Sequence, residues 1–167
     1  KELKVSFDVL VVKKIPSPTN QELAIGALAP DNVFYVDWKL ANRLGVDEDF
    51  VKSQIRQLAD QIKQKTLLYR KGRKPYAFQN RTVILVDDGV ATGATIAAAI
   101  LWLGKKHTKK IIVALPVAPL DLAVKIKFKV DEVITLQTPQ DFLAVGQFYK
   151  DFGEVTDKEV VELLASN

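Results

Sequence analysis

Val83-Ile84-Leu85-Val86-Asp87-Asp88-Gly89-Val90-Ala91-Thr92-Gly93-Ala94-Thr95 is the stretch on which the reading of this chain turns. Its branched apolar start predicts a buried strand. Two adjacent carboxylates, Asp87 and Asp88, close that strand; a loop of small residues follows, and the Ala-rich run Ile96–Leu103 predicts a helix. The start of such a helix presents unpaired backbone N–H groups and the positive end of its dipole to a phosphate. Glycine and alanine let a ligand approach the backbone closely. Paired carboxylates accept hydrogen bonds from vicinal hydroxyls. Together these parts suit a phosphorylated sugar. The plainer reading is a solvated turn in which one Asp caps the helix. Two mutually repelling carboxylates, where a cap needs one, weigh against it.

Upstream, Val5–Val12 is almost continuously apolar and predicts a strand ending at Lys13-Lys14. Leu23–Ala29 and Val33–Val36, separated by Pro30, Asp31 and Asn32, predict a hairpin. From Asp47 to about Tyr69 the residues Val51, Ile55, Leu58, Ile62 and Tyr69 recur at helical spacing, with Asp47 as N-cap and Gly72 and Pro75 as terminators. Downstream, Ile111–Val117 predicts a strand, Leu120–Phe128 a helix and Glu132–Leu136 a strand. Asp141–Phe152 is aromatic-rich, and Thr156 with Glu159 forms a capping box for a last helix. Strands alternating with helices imply an α/β fold whose parallel sheet is covered on both faces. Ligands bind such sheets outside the carboxyl ends of the strands. Asp87, Asp88, Lys13 and Lys14 all fall there, as parts of one expected site.

The length of 167 residues fits a single domain spanning 1–167. The chain has no Cys, which excludes disulfides, thiolate zinc sites and cysteine nucleophiles and leans toward the cytoplasm. No apolar run approaches the ~20 residues of a membrane span, so no membrane partner is expected. The formal net charge is +4. Lys63, Lys65, Arg70, Lys71, Arg73 and Lys74 form one acid-free cluster; Lys105, Lys106, His107, Lys109 and Lys110 form another. Such clusters serve nucleic acid, phosphate ligands or simple solvation. The second joins a helix to a strand and reads as solvated surface, and His107 is too far from the motif for a catalytic role.

Val83–Thr95 resembles the phosphoribosyl-diphosphate signature of type I phosphoribosyltransferases. Asp8–Lys14, Glu22–Ala27 and Thr138–Phe152 resemble one bacterial and archaeal branch of that superfamily. The resemblance implies a three-layer α/β/α fold with a mostly parallel sheet. It implies that Asp87 and Asp88 hold the ribose 2′- and 3′-hydroxyls, while Val90, Ala91, Thr92, Gly93, Ala94 and Thr95 cradle the 5′-phosphate. Magnesium would enter with the diphosphate, bound by ligand oxygens and water rather than directly by protein. The reaction implied is displacement of diphosphate from C1 by a nitrogenous base or amine. Residues 16–81 would form a lid or insertion whose Arg70, Lys71, Arg73 or Lys74 swings onto the diphosphate; a docked helix with surface lysines is the equal alternative. Residues 138–153 correspond to the family's hood over the base, with Phe142 and Val145 as base-binding candidates, whereas Phe148 and Phe152 read as core.

In this family another strand, carrying the diphosphate loop, precedes the Val5 strand and lies mid-sheet beside the Val83 strand. The expectation is therefore that the chain lacks that central first strand, or that another chain supplies it. A homodimer is in keeping with the family. The rival function on the same fold is a non-catalytic sensor of the sugar diphosphate, or a nucleic-acid-binding regulator. No helix-turn-helix module precedes the domain within these residues, which counts against nucleic acid as the expected partner. A phosphorylation-receiver reading fails because Leu115-Pro116-Val117 supplies no acid at the next strand end. A dinucleotide loop fails on the spacing of Gly89 and Gly93.

Overall fold

The computed structural model describes residues 5–21, 23–73 and 77–165. The strands form two three-stranded sheets. In the first, β1 (Lys13–Pro16), β2 (Ala24–Leu28) and β3 (Phe34–Val36) pair antiparallel. The tight turn between β2 and β3 puts Asp31 and Asn32 at φ +58° and +56°, a conformation their short polar side chains tolerate. In the second sheet, β4 (Thr82–Val86), β5 (Lys110–Val117) and β6 (Glu132–Gln137) run parallel in sequence order. The α/β class and the parallel sheet stand as expected, and the other three strands are antiparallel.

Helix α1 (Trp38–Arg43), which the sequence pattern did not suggest, starts at Asp37, whose carboxylate accepts from Leu40 N at 3.0 Å. Helix α2 (Glu48–Arg70) begins as expected at Asp47, whose Oδ1 accepts from Phe50 N at 2.8 Å. Its buried stripe Val51, Leu58, Ile62 and Tyr69 packs with Ile15, Ile25 and Leu28 of the antiparallel sheet. The helix stops at Lys71, which adopts left-handed φ and returns its N–H to Leu67 O. Pro75, the expected terminator, lies outside the described residues. Helix α5 (Asp157–Ala165) packs against α2 and is opened by the expected capping box: Thr156 N donates to Glu159 Oε2 at 2.8 Å and Glu159 N to Thr156 Oγ1 at 3.3 Å.

Helix α3 (Ala94–Lys105) is buried round most of its circumference, at Ala94, Ile96, Ala98, Ala99, Ile100, Trp102 and Leu103. It packs on β2 and β3 and shares a core with Ile111, Val113 and Leu115 of β5. Helix α4 (Leu120–Lys127) adds Leu122 and Ile126 to the same core. The opposite face of the parallel sheet is open: Val86 is 68% and Leu136 79% exposed, with Ile84 and Ile134 also exposed. The expected wholly buried Val83 strand therefore alternates, Val83 and Leu85 inward and Ile84 and Val86 outward, because no layer covers the outer face among the described residues.

Val5–Val12 differs most from expectation. Among the described residues it forms no strand; pairing starts only at Lys13. A strand needs a neighbour's backbone as well as apolar side chains, and the described chain gives this segment none. Its side chains still alternate. Val9 and Val11 pack into the core under α2, and Leu10 and Val12 into the core around α3.

Candidate functional site

Beyond Val86 the chain leaves β4 at Asp87 and Asp88, at the carboxyl end of the parallel sheet, as the sequence implies. Gly89 is buried because two neighbours close on it. A Cβ there would meet Val117 Cγ1 at 2.9 Å and Val145 Cγ1 at 2.8 Å. The turn is held down by Val90 N donating to Val117 O at 3.3 Å. Gly93 then takes φ +77° as N-cap of α3, and a Cβ there would strike Leu122 at 2.7 Å. A glycine cap has no side chain to seal the helix start, so the first-turn amides of α3 remain open acceptor-seeking groups. Ala91 and Thr92 are exposed and Thr95 half-buried, while Val90, Gly93 and Ala94 are buried. The loop thus offers backbone and two hydroxyls, with its apolar residues turned inward.

The two carboxylates are electrostatically unequal. Burial, then the adjacent Asp88 charge, push the Asp87 carboxyl up to about 6 from 3.8. The Asp88 N–H, 3.1 Å from Asp87 Oδ1, and the Lys14 charge act in the opposite direction. Asp88 is exposed. Lys13 and Lys14, expected in the same site, point apart as neighbours on a strand must. The charge of Lys14 acts on Asp87, whereas that of Lys13 acts on Asp157 of α5.

The hood candidates lie at the same end of the sheet. Val145, in the 3-10 turn Val145–Phe148, sits over Gly89. Phe142 is half-buried against Phe148, ring centroids 5.3 Å apart. Phe152, expected in the core, is 51% exposed and stacks on Tyr149 instead. Sequence reasoning passed over Tyr149, whose hydroxyl donates to Asp88 O at 2.5 Å. Its signal was available: among the aromatics of Asp141–Phe152, only Tyr149 carries a polar tip that seeks a partner.

Most of the basic cluster is engaged in other contacts. Arg70 Nη2 binds Asp8 Oδ2 at 2.7 Å in a largely buried pair, with its Nε and Nη1 buried and unpartnered. Arg73 Nη1 donates to Leu164 O. Lys65 pairs with Asp157 at 3.1 Å, and Lys71 forms the helix cap. Lys63 lines a separate cavity of about 360 Å³ between α2 and the β2–β3 turn, with Asp31, Asn32, Asp60 and Thr66. Of the two readings of this segment, the docked helix agrees with these contacts; a swinging diphosphate clamp would have to break them. Lys74 lies outside the described residues.

Among the described residues no three metal-ligating side chains converge, and no helix is long and apolar enough to cross a membrane. Residues 35–152 match the phosphoribosyl transferase domain family. Proteins from two strains of Mycobacterium tuberculosis, each named "putative phosphoribosyl transferase", are 34% identical over 164 residues. That alignment takes in 98% of this chain but 37% of each relative, so the chain spans a little over a third of their length. The crystal structure of TT1426 from Thermus thermophilus superposes with a TM-score of 0.78 at 34% identity, covering 99% of this chain and 78% of that one.

Proposed function

The chain belongs to the phosphoribosyl transferase domain family, and from that premise we propose that it transfers the ribose-5-phosphate group of phosphoribosyl diphosphate to a nitrogenous base or amine, releasing diphosphate. The observation that carries the reading is the juxtaposition of Asp87 and Asp88 with the unsealed start of α3, beneath the hood segment. In the reaction the C1–O bond to diphosphate breaks with its electron pair leaving on oxygen. A C1–N bond forms, and the acceptor nitrogen gives up its proton to the departing diphosphate or to water.

Asp87 and Asp88 accept hydrogen bonds from the ribose hydroxyls and fix the ring. The first-turn amides of α3, with the Thr92 and Thr95 hydroxyls, take the 5′-phosphate. Such positioning converts the encounter of base and sugar into a step between held partners. Carboxylates beside C1 also favour the positive charge that develops as the leaving group departs. Phe142 and Val145 face the incoming base and limit the access of water.

Magnesium fits this donor set as a hydrated ion carried by the substrate. Two adjacent carboxylates, one of them raised to about 6 partly by the other, gain from a cation brought beside them. Asp87 and Asp88 would face its water shell, and the ion when bound neutralises the departing diphosphate.

Calorimetric titration of the full chain with phosphoribosyl diphosphate and magnesium tests the reading, followed by a panel of purines, pyrimidines and amines assayed for diphosphate release. Saturable binding and release with one acceptor class is the expected result. No binding would overturn the assignment. Binding without release for every acceptor would favour a sensor of the sugar diphosphate.

A further inference from the structure

We infer that Tyr149 is a positioning residue of this site: its phenol locks the hood to the backbone of the acidic pair and so sets the geometry in which Asp87 and Asp88 meet a ribose. The inference rests on the reading of the site as a phosphoribosyl-diphosphate pocket. The hood is closed on itself before it touches anything else. The Gln147 side chain accepts from Leu143 N at 3.0 Å and Ala144 N at 3.2 Å, and donates to Asp141 O at 3.0 Å. Phe142 stacks on Phe148 across the same loop. A loop braced in this way moves as one piece, and where it sits depends on its attachments.

Two attachments lie at the acidic pair. One is the apolar contact of Val145 over Gly89, which resists compression but does not define an angle. The other is directional: Tyr149 Oη donates to Asp88 O at 2.5 Å, at the short end of the hydroxyl range. The Tyr149 ring is backed by Phe152 at 5.2 Å, which limits its swing. The same Asp88 residue donates its N–H to Asp87 Oδ1. Both backbone polar groups of Asp88 are therefore engaged, one by the hood and one by the neighbouring carboxylate. Rotation of the chain at Asp88 would move its own carboxylate and release that of Asp87. Tyr149 opposes that rotation from 61 residues away.

Tyr149→Phe removes the hydroxyl and keeps the ring. With phosphoribosyl diphosphate and magnesium as the probe, calorimetry from pH 5 to 8 should show affinity weakened roughly five- to tenfold at pH 7.5. The pH below which affinity declines should also move upward, because the Asp88 N–H no longer holds Asp87 in its ionised form. The other charges acting on Asp87, the Asp88 carboxylate and Lys14, are unchanged in the variant. Phe152→Leu, which loosens the packing and retains the phenol, should lose less affinity than Tyr149→Phe and leave the pH profile where it is. Native affinity and pH profile in Tyr149→Phe would overturn the role of Tyr149 and leave the site's reading standing. An equal loss in both variants, with no shift of the pH profile, would reduce Tyr149 to packing and overturn it too. Absence of binding by the unaltered chain would defeat the site's reading itself.

Discussion

The loop Asp87–Thr95 and the helix end Lys63–Arg73 both concentrate charge or polarity, and they use it in opposite ways. In the loop, the apolar groups are taken up internally: Val90, Gly93 and Ala94 are buried, while the Asp88 carboxylate and the Thr92 hydroxyl are exposed and the start of α3 is left without a side-chain cap. In the helix end, charged groups are taken up internally. Arg70 is held by Asp8, Lys65 by Asp157 and Arg73 by Leu164 O. Charge density along the sequence is therefore a poor guide to a binding site. What distinguishes the loop is that, among the described residues, no side chain caps the start of α3 and the Thr92 and Thr95 hydroxyls carry no hydrogen bond.

The sharpest test of this contrast is the double substitution Asp87→Asn with Asp88→Asn. It should weaken phosphoribosyl-diphosphate binding at least about a hundredfold by calorimetry, since charged acceptors hold hydroxyls far better than neutral amides. The fold should survive with an unchanged or raised melting temperature, because a buried carboxylate and its repulsive neighbour are removed. Full affinity in that variant would return the pair to the status of a solvated turn.

Gly89→Ala is expected to have the next largest effect. Its methyl group meets Val117 on one side and Val145 on the other, so the loop or the hood must shift. Overpacking of this kind costs about 1–3 kcal/mol, and affinity should fall about tenfold; chemical denaturation and calorimetry read the two effects separately. A smaller change comes from pH alone. The Asp87 carboxyl is raised above its unfolded value, so the folded state holds that proton more tightly. Stability should fall as pH rises from 3.8 toward about 6, while affinity for the sugar diphosphate should rise over the same interval as the carboxylate forms. Melting curves and titrations moving in the same direction with pH would contradict this. Arg70→Ala marks the other half of the contrast. It should lower stability by about 2 kcal/mol by stranding Asp8 and leave affinity within about twofold. If it lost binding at native stability, the helix end would belong to the site.

The parts of the fold written in short-range patterns were legible. The α2 cap at Asp47, the capping box at Thr156 and the β2–β3 turn each depend on residues within a few positions of one another. The β4–loop–α3 unit was legible for the same reason, since strand, acidic pair and glycine cap are contiguous. The division of Lys13 from Lys14 follows from strand alternation, but only once the strand is known to begin at Lys13 rather than to end there. Val5–Val12 misled because apolar content reports burial, and burial does not supply a hydrogen-bonding neighbour. Tyr149 was legible only in part: its polar tip marks it as seeking a partner, but that partner is a backbone carbonyl, which every residue possesses and no pattern marks.

Helix α3 gives the molecule a thermodynamic character of its own. Ala27, Ala29 and Val33 of the antiparallel sheet and hairpin share one buried cluster with Ile111, Val113 and Leu115 of the parallel sheet, and α3 supplies the side chains between them. Neither sheet can lose its structure without exposing that helix, so the two are expected to melt as one unit. Calorimetric and van't Hoff enthalpies should then agree, as they do for a two-state transition. The α3 amides beyond the first turn should exchange with solvent only through global opening.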